Sequence, residues 1–159
     1  FLFSKLKIDT QEVLQAASTK WNFLNFQPGL VGGHCVSVDP YYLTYKSRKA
    51  GYNPKIILSG RKVNNSVAKF ISNQSIKLMV KKKINIQNSK ILIAGFTFKN
   101  DCSDFRNTKV LDIYKYLKKK VKLVDIYDPH INAQEQSGFN FVNYPKKKTL
   151  QWYNHFSRA

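Results

Sequence analysis

Ile91-Leu92-Ile93-Ala94-Gly95-Phe96 is a short apolar run closed by a glycine turn. Val121-Lys122-Leu123-Val124-Asp125-Ile126-Tyr127 is a second, stopped by Asp128-Pro129. Runs of this length, bounded by turn residues, read as buried strands. Between them, Asn107 to Lys119 sets Val110, Leu111, Tyr114 and Leu117 on one side of a helix. Strand, helix, strand at this spacing predicts a βαβ unit with a parallel sheet. Phe139 to Val142 is the expected start of a third strand. The fold class is therefore α/β, with a sheet that reads as incomplete.

Upstream of Lys90 the pattern is helical. Asp9 followed by Glu12 resembles a capping box, and Val13, Leu14 and Ala17 follow at helical spacing, which predicts a helix from Thr10 to about Ser18. Phe1 to Leu6 reads as the middle of an amphipathic helix. Trp21 to Asp39 breaks the periodicity with Pro28, Gly29, Gly32 and Gly33, and is expected to be a loop that approaches a ligand closely. Tyr41 to Ala50 is predicted helical, with Gly51 as its stop. Pro54 suits the first turn of a long helix that reaches Lys82, with an approximate stripe of Ile56, Ile57, Gly60, Val63, Val67, Phe70, Ile71, Leu78 and Met79. The expected organisation is a helical segment over 1–83 and an α/β domain over 88–159.

The chain has 159 residues, 43% of them hydrophobic, enough to bury a core. The net charge of +18 raises nucleic acid and membrane surfaces as partners. Of the 27 basic residues, however, only Arg48, Arg61, Arg106 and Arg158 are arginine. Phosphate recognition usually recruits arginine. Lys, Asn, Ile, Phe and Tyr together suit an AT-rich genome, so solvated lysine faces explain the charge. No single-strand platform, helix-turn-helix or zinc pattern is visible. The reading is no nucleic acid and, for want of a long apolar run, no membrane. Two cysteines, Cys35 and Cys102, are too few for a disulfide scaffold and fit a reducing cytoplasm. The chain opens at Phe1, and Met79 is its only methionine, so a fragment of a longer protein is expected.

The sharpest motif is Gly29-Leu30-Val31-Gly32-Gly33-His34-Cys35-Val36-Ser37-Val38-Asp39-Pro40. Amides of a glycine-rich loop stabilise a thiolate or an oxyanion beside them. Asp39, four residues on, can hold a water or orient the thiol. The residues alone leave two readings open: Cys35 as a nucleophile, or a small cysteine packed beside a structural turn. His34 is adjacent in sequence and a poor partner for a cysteine–histidine pair. One cysteine and one histidine are too few for a metal site.

Phe26 to Cys35, with Asp39-Pro40-Tyr41-Tyr42-Leu43, resembles the UDP-glucose/GDP-mannose dehydrogenase family of nucleotide-sugar 6-dehydrogenases. The Gly-Gly-His-Cys form is similar to its N-acetylhexosaminuronate branch, with the UDP-N-acetylglucosamine and UDP-N-acetylgalactosamine enzymes nearest. A second block agrees: Gly95-Phe96-Thr97-Phe98-Lys99 and Asp104-Phe105-Arg106-Asn107-Thr108 resemble the family's loop after the first strand of its UDP-binding domain. The likeness runs over about residues 1–148.

The resemblance implies a three-part enzyme: an NAD-binding Rossmann domain, a central helical dimerisation region and a Rossmann-like UDP-binding domain. This chain corresponds to the later central region and an incomplete UDP-binding domain, without the family's glycine-rich NAD fingerprint. It implies Cys35 as nucleophile, with Asp39 handling water and protons. Gly29, Val31, Gly32, Phe98 and Lys99 are implied to bind the UDP-sugar, and both Arg106 and Cys35 to contact NAD. It also implies a homodimer through the central helices. The alternatives are core packing for Phe98, a solvated face for Arg106, and a plain turn for the glycines. Lys20 lies where some members place a basic residue that reaches the neighbouring subunit, or is a surface lysine. Arg61 and Asn64 read as structural or interface residues, Cys102 as incidental, and Trp21 as packing the loop. The isolated chain is expected to be inactive.

Three departures stand out. Ser37 replaces a small residue or proline, and Gln27 an often basic residue. After Tyr144-Pro145-Lys146-Lys147-Lys148 the family continues into an apolar strand, whereas this chain reads Thr149-Leu150-Gln151-Trp152-Tyr153-Asn154-His155-Phe156. Shifting the reverse-translated frame by one nucleotide gives a Tyr-Asn-Gly-Ile-Ile-Ile reading. The expectation is a frameshift, which genomic reads with one intact frame through Thr149 to Ala159 would refute. A truncated sheet would also leave an apolar edge open and favour aggregation.

Overall fold

The computed structural model describes residues 1–131 and 138–143. The expectations for Tyr144 to Ala159 lie outside the described residues. Two compact units form, one over residues 1–29 and one from Leu30 onward.

The first unit holds α1 (Leu2–Leu6) and α2 (Thr10–Ser18). The Asp9 carboxylate accepts from the Gln11 amide at 2.7 Å, so the predicted cap sets the start of α2. Neither helix buries a residue. Trp21, expected to pack its loop, is 93% exposed. Two short helices offer no apolar core that could receive an indole.

The first helix of the second unit begins earlier than the sequence suggests. Helix α3 spans Cys35–Lys49 and contains Pro40. The expected loop to Asp39 and helix from Tyr41 are corrected accordingly. Proline supplies no helix donor, and the amide missing at Pro40 is the one that would reach the Val36 carbonyl. A side chain from α4 (Lys55–Lys81) bonds that carbonyl instead. Gly51, at φ 81°, follows the Ala50 cap and ends α3 as predicted. Pro54 stands at the N-cap of α4, whose Ala68 and Ser72 are buried. Their small side chains allow close approach to α5 (Val110–Lys118), where the Tyr116 hydroxyl donates to Asn73 Oδ1 at 2.5 Å.

The βαβ unit is present. β1 (Lys90–Ala94) pairs in parallel with β2 (Leu123–Tyr127), in register from Lys90 with Leu123 to Ala94 with Tyr127. Helix α5 starts three residues later than predicted because Asn107 is left-handed, at φ 56°. Its Ile113, Tyr114 and Leu117 join Ile93, Phe96, Val124 and Ile126 in the core. Each such side chain contributes roughly 1.5–3 kcal/mol by leaving water. Phe96 is 1% exposed and meets the rings of Phe105, Phe139 and Phe141 at 5.4–5.8 Å. Among the described residues, the expected third strand shows as a parallel bridge between Ile126 and Phe141 on the far edge of β2. Among the described residues no helix is long and apolar enough to cross a membrane.

Candidate functional site

The glycine-rich loop and the loop after β1 meet. A Cβ on Gly33 would lie 2.9 Å from two atoms of the Phe98 ring, and one on Gly32 would lie 2.9 Å from the Asn107 carbonyl. Gly33 also adopts φ 80°. Hence these glycines seat Phe98 and the turn before α5, a role that sequence reading missed. Gly29, by contrast, is exposed with nothing within 4 Å of its Cβ position. Gly33→Ala should therefore cost about 2 kcal/mol or more in urea unfolding, from left-handed strain and ring displacement. Gly29→Ala should be near neutral in the same assay.

Cys35 is the first residue of α3 and is exposed, with a free thiol. The first amides of a helix lack carbonyl partners within it, which makes its amino end favourable for negative charge. Asp39 is also exposed and sits four residues along the helix. Residues at i and i+4 share one face, so thiol and carboxylate lie on one side of α3. Val31 is exposed at the loop entrance.

Helix α4 brackets this segment. Arg61 Nη1 donates to the Val36 carbonyl at 2.7 Å, Asn64 Nδ2 to the Val31 carbonyl at 3.1 Å, and Asn65 Nδ2 to the Tyr41 hydroxyl at 2.9 Å. Their i, i+3, i+4 spacing puts them on one helix face. From sequence, Arg61 and Asn64 read as structural or interface residues of the long helix, and Asn65 is not singled out.

The loop after β1 is wired to the end of β2. The buried Asp128 carboxylate accepts from the Phe96 amide at 2.6 Å, the Thr97 amide at 3.1 Å and the His130 amide at 2.9 Å. This holds the segment that carries Phe98 and Lys99. Phe98 is half-buried, and Lys99 is exposed with Nζ 5.6 Å from the Phe98 ring centre. Cys102 is a free thiol whose sulfur accepts from the Asp104 amide at 3.4 Å. Among the described residues no group of three His, Cys, Asp or Glu side chains could hold a metal.

Arg106 is 78% exposed and pairs with Asp104, Nε reaching both carboxylate oxygens at 3.0 Å and Nη2 reaching Oδ2 at 2.7 Å. Hydrogen bonds from the Arg106 side chain and amide hold the Asp104 carboxyl at about 2, against an ordinary 3.8. A depressed carboxyl stabilises the fold above its unfolded value, and that contribution is lost as pH falls through the native one. The loss therefore falls between about pH 4 and pH 2. An NMR titration of Asp104 should find a midpoint near 2, returning toward 3.8 in Arg106→Gln.

Residues 1–66 match the UDP-glucose/GDP-mannose dehydrogenase family, central domain, and residues 92–158 match the same family's UDP binding domain. The chain is 55% identical over 134 residues to a UDP-N-acetyl-D-glucosamine 6-dehydrogenase of Salmonella typhi, covering 84% of this chain and 32% of that protein. It is 48% identical over 138 residues to the protein CapL of Staphylococcus aureus, covering 87% of this chain and 32% of that protein. It thus spans about a third of the length of these relatives. A UDP-D-ManNAc dehydrogenase structure from Pyrococcus horikoshii superposes with a TM-score of 0.74 at 26% identity, covering 82% of this chain and 31% of that one. On the two domain matches, which take in both the cysteine loop and the βαβ unit, the chain belongs to the UDP-glucose/GDP-mannose dehydrogenase family.

Proposed function

We propose that this chain is the part of an NAD-dependent UDP-sugar 6-dehydrogenase that holds the reactive cysteine and the UDP-binding loop, and that it serves surface polysaccharide synthesis. The observation that carries this reading is the seating of Phe98 on Gly32 and Gly33, which joins the loop of Cys35 to the loop of Lys99. The likeness to the Salmonella typhi enzyme supports a UDP-N-acetylhexosamine as substrate. Residues 1–83 then act as the central segment and 88–159 as the UDP-binding domain.

Lys99 offers an exposed ammonium to a diphosphate, and Phe98 an apolar wall beside it. Arg106 fits a dinucleotide phosphate: Asp104 engages Nε and Nη2, and the side chain projects into solvent. NAD, when bound, accepts hydride in both oxidations of C6. Cys35 Sγ adds to the C6 aldehyde and forms a thiohemiacetal. Loss of hydride from that carbon leaves a thioester on Sγ. Water attacks the thioester, the C–S bond breaks, and the carboxylate leaves with the thiolate restored. Thiolate suits this sequence because it is both a soft nucleophile and a good leaving group. Asp39, on the same face of α3, takes the proton of the attacking water.

Exposed Tyr42, Leu43 and Tyr45 on α3, with Ile56 and Val63 on α4, support a homodimer through these helices. Two free thiols and a nucleotide-sugar substrate fit a cytoplasmic enzyme. The chain by itself should not turn over. The test is a hybrid in which the matched stretch of the Salmonella typhi relative is replaced by this chain. It should release two NADH per UDP-N-acetylglucosamine consumed. A folded hybrid that binds UDP but makes no NADH with any UDP-hexose would overturn the reading.

A further inference from the structure

Pro40 is the sixth residue of α3, and its position matters for the turn that carries Cys35. In an α-helix the amide of residue 40 would donate to the carbonyl of Val36. Proline has no amide hydrogen, and its ring crowds that same carbonyl. Asp39, the residue before the proline, is also disfavoured in helical geometry. The first turn of α3 therefore lacks one of its own bonds, next to the thiol.

The Val36 carbonyl is nevertheless satisfied, by Arg61 Nη1 at 2.7 Å from the neighbouring helix. A charged donor makes a stronger bond than the neutral amide it replaces. One turn along the same face, Asn64 Nδ2 holds the Val31 carbonyl at 3.1 Å. Gly32, Gly33, His34 and Cys35 lie between these two anchored carbonyls. The Val38 amide still closes the first turn on the His34 carbonyl at 2.8 Å.

We infer that Arg61 is a positioning residue for Cys35: from α4 it supplies the hydrogen-bond donor that Pro40 removes, and so fixes the turn that presents the thiol. This rests on the reading of Cys35 as the nucleophile. It also makes the need for Arg61 conditional on Pro40, which a merely structural contact between helices would not.

The experiment is alkylation of Cys35 by iodoacetamide in the full 159-residue chain. Cys102→Ser isolates the signal, and thermal unfolding is followed in parallel. Arg61→Met should slow alkylation at neutral pH by about five-fold or more, because a frayed first turn loses the ordered amides around the thiol. It should also speed exchange of the Val38 amide while leaving Ile126 protected. Adding Pro40→Ala to Arg61→Met restores the missing amide and should return both readouts to within about two-fold of the parent. The double variant is made first, since it keeps the turn bonded if Arg61→Met alone does not fold. A double variant as slow as the single, or a single as fast as the parent, overturns the positioning role and leaves the nucleophile intact. A Cys35 inert to iodoacetamide in every variant, the parent included, overturns the nucleophile reading itself.

Discussion

Cys35→Ser in the hybrid dehydrogenase should lower uronate production on the order of 10³-fold or more. That corresponds to about 4 kcal/mol of transition-state stabilisation. Serine keeps the size of cysteine and the helix start, so the loss reports chemistry rather than packing. A hydroxyl at the amino end of α3 is a weaker nucleophile toward the aldehyde. The ester it would form also expels a poorer leaving group when water attacks. Asp39→Asn should show a smaller fall, on the order of 10²-fold, since it removes a proton acceptor and keeps the covalent route. Cys102→Ser should leave the rate unchanged. Stopped-flow absorbance at the nicotinamide band, with uronate measured by chromatography, gives both oxidations separately. A serine variant within ten-fold of the parent would remove Cys35 from the reaction.

Asp128→Ala is expected to have the largest effect on stability. One carboxylate accepts three backbone amides, from Phe96, Thr97 and His130. Asp128 is 6% exposed and Phe96 is 1% exposed, so water cannot readily replace the acceptor. An orphaned buried donor costs about 1–3 kcal/mol, and more where the lost partner is charged. The variant should lose about 3 kcal/mol or more in urea unfolding, a large share of a small domain's stability. Asp128→Asn should fall between, because its amide group accepts on one side only. The segment that carries Phe98 and Lys99 hangs on these bonds, so UDP affinity should drop in parallel. A loss under about 1 kcal/mol would show that the two strand ends are held by something else.

Much of the second unit was legible from apolar pattern and punctuation. The two strands announced themselves as apolar runs, and Gly51 and Pro54 marked the break between helices; in the first unit, Asp9 marked the cap of α2. The start of α3 was not legible. Pro40 normally argues against a helix, and the Val36 carbonyl it leaves without a donor is bonded by a guanidinium 25 residues downstream of Val36. No local window contains that information. The glycines stood out as a loop that could approach a ligand, but the immediate neighbour of Gly33 is a phenylalanine ring 65 positions away in sequence. Asp128 read as a strand stop, while its three amide partners depend on how β1 and β2 align in register. Lys99 and Arg106 are placed on the expected loop, with Arg106 already engaged by Asp104, a pairing two residues apart that went unremarked.

The contact of Gly33 with Phe98 also bears on recombination between relatives. The family boundary leaves residues 67–91 between its two matched domains, which makes α4 the obvious place to join halves of different enzymes. The compact unit ignores that boundary and runs from Leu30 through both. A crossover inside α4 inherits the glycine loop from one parent and Phe98 from the other. It is tolerated only where both parents leave the same room for the ring. A crossover at Gly29–Leu30 keeps the loop, its anchors on α4 and the ring in a single parental piece, and is the junction at which chimeric libraries should retain folded members.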